Sequence, residues 1–264
     1  MRSYLFVPGD RPERFAKAAA SGAHRVILDL EDAVNPDAKD AARACVAAWL
    51  GAGHAAMVRI NGADTTWFED DCRMLAAAGA RAVMLPKSQD LATLARLASR
   101  LPVGAALVPL VETAAGLWNV REVAGAPGVH RLAFGSVDYQ LDLGIEGDGD
   151  ELLQARSQLV LASRVAGIPA PVDGVTLSIK DPVALSADVA RARRLGFGAK
   201  LCIHPSQVEA VNTGFAPSAD ELAWAREVLE ASSAGGRGAL TVRGKLVDQP
   251  VVERARRLLA LSLQ

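Results

Sequence analysis

The sequence predicts an α/β protein, a (β/α)8 barrel of the TIM class followed by a C-terminal helical arm. Three observations carry this. Eight short β-type runs recur along the 264 residues, most too apolar to have a solvent face, as expected for parallel strands covered on both sides. The first six end at residues 7, 28, 60, 85, 111 and 134, so each step holds one strand, one helix and two short loops. The length is close to the roughly 250 residues of a single barrel.

The runs, in order, are Tyr4–Val7, Arg25–Leu28, Ala56–Ile60, Ala82–Leu85, Ala105–Val111, Arg131–Phe134, a weaker one near Val172–Leu177, and Lys200–Ile203. Segments between them read as helices. In Ser88–Arg100 the apolar residues at 91, 94, 95 and 98 share one face of a 3.6-residue period. Thr66-x-x-Glu69 and Ser218-x-x-Glu221 have the form of capping boxes. After the second box, Leu222, Ala225 and Leu229 share a face. The last helix is expected from Pro250, with Asp248 as its N-cap and Val251, Ala255, Leu258 and Leu259 as its stripe. The Gly/Ser-rich Ala231–Leu246 reads as a linker between the last two helices. The expected division is a barrel over 1–215 and C-terminal helices and linker over 216–264. No self-similarity accompanies the spacing, which argues against a solenoid.

A doubly wound open sheet is the competing architecture. It predicts a glycine-rich turn after the first strand. That turn is Pro8-Gly9-Asp10-Arg11-Pro12, with no GxGxxG. A phosphate-binding GxxxxGK[ST] also fails: Gly244-Lys245 is followed by Leu246, and Ala239 stands where the first glycine belongs. The barrel is therefore preferred.

Half of the residues are apolar and 22% are charged, with 23 Gly and 13 Pro, which excludes a disordered or collagen-like chain. A net charge of −1 leaves no basic excess for a generalised nucleic-acid or anionic-membrane surface. Cys45, Cys72 and Cys202 are odd in number and form no CxxC, which argues against a disulfide framework or thiolate zinc site and fits a reducing cytoplasm. The four-residue apolar run near the N-terminus is too short for a signal-peptide core. The longest uncharged apolar stretch, Leu101–Val111, has 11 residues, against about 20 for a membrane span. The expectation is a cytoplasmic, soluble protein with neither nucleic acid nor membrane as partner.

In a (β/α)8 barrel the loops after the strands build the active site. The polar residues there are Gly9 and Asp10; Asp29, Glu31 and Asp32; Arg59 and Asn61; Lys87; Glu112; Ser136 and Asp138; and His204. Acidic residues from three strands, with Arg59 and Lys87 from two others, suit a hard cation and an anionic substrate. Plainer roles stand beside this. Asp10, Asp32 and Asp37 suit caps or turns, and Arg59 with Glu31 suits a structural ion pair. Carboxylates ending very apolar strands, as Glu112 and Asp138 do, are costly to bury unpaired, and Mg²⁺ would pair them. His204 reads as a satisfied core histidine or a substrate hydrogen-bond donor. The acidic loop Glu146–Glu151 reads as a solvated turn, and Trp67, Phe68 and Trp224 as packing. With no GxSxG and no cysteine at a strand end, covalent catalysis by Ser or Cys is disfavoured. Lys87 could form a Schiff base, but its charged neighbours favour anion binding or a structural role.

Seven motifs occur in order from residue 3 to residue 208: SYLFVPGDRPERFAKA, VILDLEDAV, VRING, VMLPKS, PLVETAAGL, LAFGSVDYQLDLG and KLCIHPSQV. Together they resemble the citrate lyase β-subunit-like (CitE-like) branch of the HpcH/HpaI aldolase superfamily, close to the malyl-CoA and citramalyl-CoA lyases. The resemblance implies a Mg²⁺-dependent barrel, trimeric or a dimer of trimers. It implies reversible cleavage of a carboxylated 3-hydroxyacyl-CoA, of malyl-, citramalyl- or citryl-CoA type, to acetyl-CoA and a 2-oxo acid. By its motifs, Glu112 and Asp138 resemble the metal ligands. Arg59 resembles the residue that binds the substrate carboxylate or oxo oxygen and stabilises the enolate. Asp29, Glu31 and Asp32 look like the acidic shell, and Lys87 a member of the same ring. Gly244-Lys-Leu-Val-Asp248-x-Pro250 is similar to a segment whose aspartate, from a neighbouring subunit, acts as acid/base at the acetyl methyl group. Alternatives within this reading are a citrate lyase β subunit acting on an acyl-carrier-protein thioester, malyl-CoA thioesterase or malate synthase activity, and a non-catalytic acyl-CoA-binding oligomer.

Overall fold

The computed structural model describes residues 1–234 and 240–262. The eight apolar runs form eight strands: β1 (Ser3–Pro8), β2 (Arg25–Asp29), β3 (Met57–Arg59), β4 (Ala82–Leu85), β5 (Ala106–Val111), β6 (Ala133–Phe134), β7 (Val172–Asp173) and β8 (Ala199–Cys202). All neighbours pair in parallel, and β8 pairs with β1 to close the barrel. This is the (β/α)8 fold the spacing predicts.

Alternation along the strands explains why the runs are apolar throughout. Tyr4, Ile27, Met57, Met84, Val108, Leu110, Val172 and Leu201 fill one cluster at the barrel's centre. Their neighbours Leu5, Leu28, Val58 and Val83 are also buried, on the opposite side of the sheet. Register then decides what meets at the mouth. Pro8 lies beside Asp29, and Asp29 beside Arg59, so the ends of three strands form one layer.

Two of the helix readings change. The helix after β3 runs Phe68–Ala77, so Trp67 takes the N-cap position and Thr66 makes no capping bond. Glu69 turns instead to the guanidinium groups of Arg96 and Arg100. The next helix is shorter than predicted, Leu91–Ala98, because the Asp90 side chain caps it by accepting from Thr93 N at 2.7 Å. Its buried residues are Leu94 and Leu97, while Leu91 is exposed. The acidic turn is not free either. Asp148 pairs with the fully buried Arg156 at 2.6 Å and with Arg191 at 2.8 Å. His204 is exposed and caps the short turn Pro205–Gln207, rather than lying in the core.

The chain divides into two compact units, Met1–Asn212 and Thr213–Gln264. In the second, the helix Ala219–Ala234 opens with the expected reciprocal box. Glu221 N donates to Ser218 Oγ at 3.1 Å, and Ser218 N to Glu221 Oε2 at 2.8 Å. The segment read as a linker contains a hairpin, β9 (Leu240–Val242) and β10 (Lys245–Val247); its part at 235–239 lies outside the described residues. Arg243 and Gly244, at φ 49° and 73°, make the tight turn that a two-residue hairpin requires. The last helix runs Gln249–Ser262, and Val252 joins Ala255 and Leu258 in a small core with Ala225, Val228, Val242 and Val247. Among the described residues no helix is long and apolar enough to cross a membrane.

Candidate active site

The layer formed by β1, β2 and β3 carries a guanidinium held by carboxylates. Arg59 Nε donates to Asp29 Oδ1 at 2.7 Å and Nη2 to Asp29 Oδ2 at 2.6 Å, a two-point pair between adjacent strand ends. Nη1 lies 3.0 Å from Glu31 Oε2 and 3.5 Å from Asp32 Oδ2. The guanidinium also sits over the Phe6 ring, 4.7 Å from its centroid. The expected Arg59–Glu31 pair is thus present, but Asp29 is the principal partner. Burial works against the charge of Arg59; the Asp29 carboxylate more than offsets this and holds its pKa above the ordinary arginine value.

The loop after β2 is fixed from both sides. Asp29 accepts from Glu31 N at 2.9 Å and Ala33 N at 3.1 Å. Lys39, almost fully buried on the helix Lys39–Gly51, donates from Nζ to Leu30 O and Glu31 O, both at 2.7 Å. Burial pushes the Glu31 pKa up to about 7, with Arg59 opposing and Asp32 and Asp29 adding to the rise.

Glu112 directly follows β5 and is 2% exposed. Its Oε1 accepts from Lys87 N at 2.7 Å, while its Oε2 is buried with no hydrogen-bond partner among the described residues. Burial first, then the charges of Glu31 and Asp138, push its pKa up to about 8. In its ionised form such a carboxylate is an energetic liability unless a cation joins it; without one it holds its proton. Asp138 is half-buried in the first turn of the helix Ser136–Leu143. Asp29, Asp32, Arg59, Glu112 and Asp138 line one cavity of about 390 Å³ at the C-terminal mouth, together with Phe6 and Val175.

The donor chemistry fits Mg²⁺: Glu112 and Asp138 could supply hard oxygen donors beside open space for water and substrate, as this ion prefers. Among the described residues no group of three or more His, Cys, Asp or Glu side chains is arranged to enclose a metal, so an ion here would keep open positions.

Two predicted members behave differently. Lys87 adopts φ 48°, its side chain is exposed, and its backbone N–H reaches Glu112. Its ammonium acts on Glu31 only as a nearby positive charge. Asp248 lies in the second unit, exposed, and its Oδ1 accepts from Val251 N at 3.1 Å, capping the last helix.

Several positioning groups escape sequence reasoning. Lys39 is one, because a lysine inside a helix carries no signal of burial. Lys200 is another: it is fully buried outside the central cluster, with Nζ donating to Gly174 O at 2.6 Å. Gln207 Nε2 donates to Thr176 O at 2.9 Å. These two bonds fix the segment from which Val175 and Leu177 face the cavity. The glycine in Asp173-Gly174 was the available hint, since a Cβ there would overlap Ser136 Oγ.

The fold and this mouth define an aldolase-type barrel. The family model described as HpcH/HpaI aldolase/citrate lyase matches residues 2–205, and the chain belongs to that family. It is 39% identical, over 279 aligned residues, to the citrate lyase subunit beta-like protein of Deinococcus radiodurans, covering 98% of this chain and 96% of that protein. It is 36% identical to a (3S)-malyl-CoA thioesterase of Cereibacter sphaeroides, covering 98% and 93%. The solved structure of CitE from Mycobacterium tuberculosis in complex with magnesium, acetoacetate and coenzyme A matches with a TM-score of 0.88 at 36% identity, covering 100% of this chain and 98% of that one.

Proposed function

We propose that the protein is a Mg²⁺-dependent carbon–carbon lyase that cleaves a carboxylated 3-hydroxyacyl-CoA to acetyl-CoA and a 2-oxo acid, reversibly. The observation that carries this is the buried, unpartnered Glu112 Oε2, at the same mouth as Asp138 and the carboxylate-held Arg59. Glu112 and Asp138 would hold the ion, which supplies polarisation of a substrate oxygen. The relative of known structure, in complex with magnesium, acetoacetate and coenzyme A, supports a site that uses a metal together with coenzyme A.

Arg59 binds the substrate carboxylate or oxo oxygen and stabilises charge developing on the enolate; Asp29 and Glu31 hold its fork in place so that little reorganisation is needed. Lys87 N holds Glu112 in its ligating orientation. Asp248 of a neighbouring subunit, in a homotrimer or dimer of trimers, moves the proton at the acetyl carbon. A Mg²⁺ lyase assay on malyl-, citramalyl-, citryl- and methylmalyl-CoA, with both products identified by mass spectrometry, tests this. Acetyl-CoA (or its homologue) with a 2-oxo acid is expected, abolished in Glu112→Ala and Asp138→Ala. Full activity in either variant overturns the assignment.

A second reading, hydrolysis of a malyl-type thioester, is supported by the 36% identity to a malyl-CoA thioesterase. Free coenzyme A with an intact hydroxy acid would identify it.

A further inference from the structure

The barrel end opposite Glu112 holds a second cavity, of about 730 Å³. Residues at the N-terminal ends of β1 to β5 and just before β6 line it, with the buried Tyr4 and Met57 among them. Arg25, Arg81, His54 and His130 are its basic side chains. Among the described residues lining it there is no aspartate or glutamate.

This face of a barrel ordinarily serves stability. An uncompensated cluster of cations serves stability poorly, because like charges repel and desolvated ones cost more. The groups here are uncompensated. The Arg25 guanidinium reaches the Met1 sulfur at 3.3 Å, while its Nε is buried without a hydrogen-bond partner among the described residues. The Arg81 side chain makes no ion pair with any described residue. Behind them Arg131 is buried and bonds to Ala170 O, Met1 O and the Tyr4 hydroxyl, none of them anionic. Burial and then the charges of Arg131 and Arg25 depress the His130 pKa, which marks the local field as positive. His54 stacks on Trp49 at 4.0 Å, which leaves a flat ring beside the cationic groups.

Planar guanidinium forks with free donors recognise oxyanions by paired, charge-assisted hydrogen bonds. We propose that this cavity binds a small molecule carrying two or more oxyanion groups, gripped by Arg25 and Arg81, at a site separate from the catalytic mouth. The inference does not depend on the lyase assignment, since it uses none of its residues.

Calorimetric titration of the intact, metal-free protein with inorganic pyrophosphate and, separately, with citrate tests it. Saturable binding of at least one probe, one per chain, is expected. Arg81→Gln and Arg25→Gln should each weaken it about tenfold, the loss of one charge-assisted contact. Turnover at the opposite mouth should be unchanged in both variants. Binding of pyrophosphate alone marks a phosphate site, and of citrate alone a polycarboxylate site. Arg81 is exposed, so its variant keeps the test open if Arg25→Gln fails to fold. No saturable binding of either probe, or an affinity unchanged when both arginines are replaced, overturns the proposal.

Discussion

The carboxylate of Glu112 occupies the space that a side chain at position 135 would fill. A Cβ on Gly135 would overlap Glu112 Oε2 and stand 2.5 Å from Glu112 Cβ. The backbone there, at φ −88°, suits any residue. Close approach, not conformation, therefore demands glycine, and it lets β6 pass beside an acid buried at the end of β5.

Gly135→Ala should displace Glu112 without unfolding the barrel. Overpacking of this kind costs about 1–3 kcal/mol. Thermal denaturation should show that loss, and Mg²⁺-dependent turnover should fall far more than stability. Retention of both at wild-type levels would show that Glu112 needs no such fit.

Stability of the metal-free protein should depend on pH with a definite sign. The Glu112 pKa rises from 4.5 to about 8 on folding, and that of Glu31 from 4.5 to about 7. The folded state therefore holds more protons between these values. The stability this contributes is complete below about pH 4.5 and is lost as pH rises through 7 to 8. If Glu112 holds the ion as proposed, Mg²⁺ would compete with the proton there, and its stabilising effect should grow from pH 6 to pH 8. Melting curves with and without Mg²⁺ across that range check this; an effect that is flat with pH would remove Glu112 from the metal site.

Asp29→Asn should leave the Arg59 guanidinium buried without its main counter-charge. Breaking a buried pair from one side costs about 3–5 kcal/mol. Chemical denaturation should register a loss of that size. Arg59→Lys keeps the charge but cannot span both Asp29 oxygens, so its substrate KM and kcat should suffer while stability changes less.

Asp248→Asn separates two roles. Asparagine caps a helix about as well as aspartate, whereas alanine costs about 1 kcal/mol. Asp248→Asn should keep the wild-type melting temperature and lose most lyase turnover. Mixing it with the impaired Arg59→Lys protein, under conditions that exchange subunits, should raise activity above that of either variant alone if the aspartate acts across subunits. Full turnover in Asp248→Asn would leave capping as its role.

Much of this was legible because strand ends are local features. A charged residue at or just beyond the C-terminal end of an apolar run sits near the barrel mouth whatever the helices do, which is why Asp29, Arg59, Glu112 and Asp138 could be gathered from sequence. The Ser218–Glu221 box was legible for the same reason, since its bonds span three residues. Thr66–Glu69 has the same pattern but not the same fate, because the guanidinium groups of Arg96 and Arg100, some 30 residues away, claim Glu69. Lys39, Lys200 and Arg156 gave no signal, since only packed neighbours decide whether a lysine or arginine is in water.

By itself, the sequence determined the barrel and which residue types crowd its mouth, because strand period and loop position follow from nearest-neighbour chemistry. Only the tertiary structure decided that Asp29 rather than Glu31 is the main partner of Arg59, that Lys87 serves through its backbone, and that Glu112 Oε2 is left without a partner. Those outcomes depend on register between strands and on burial, and both are set by residues far apart in the chain.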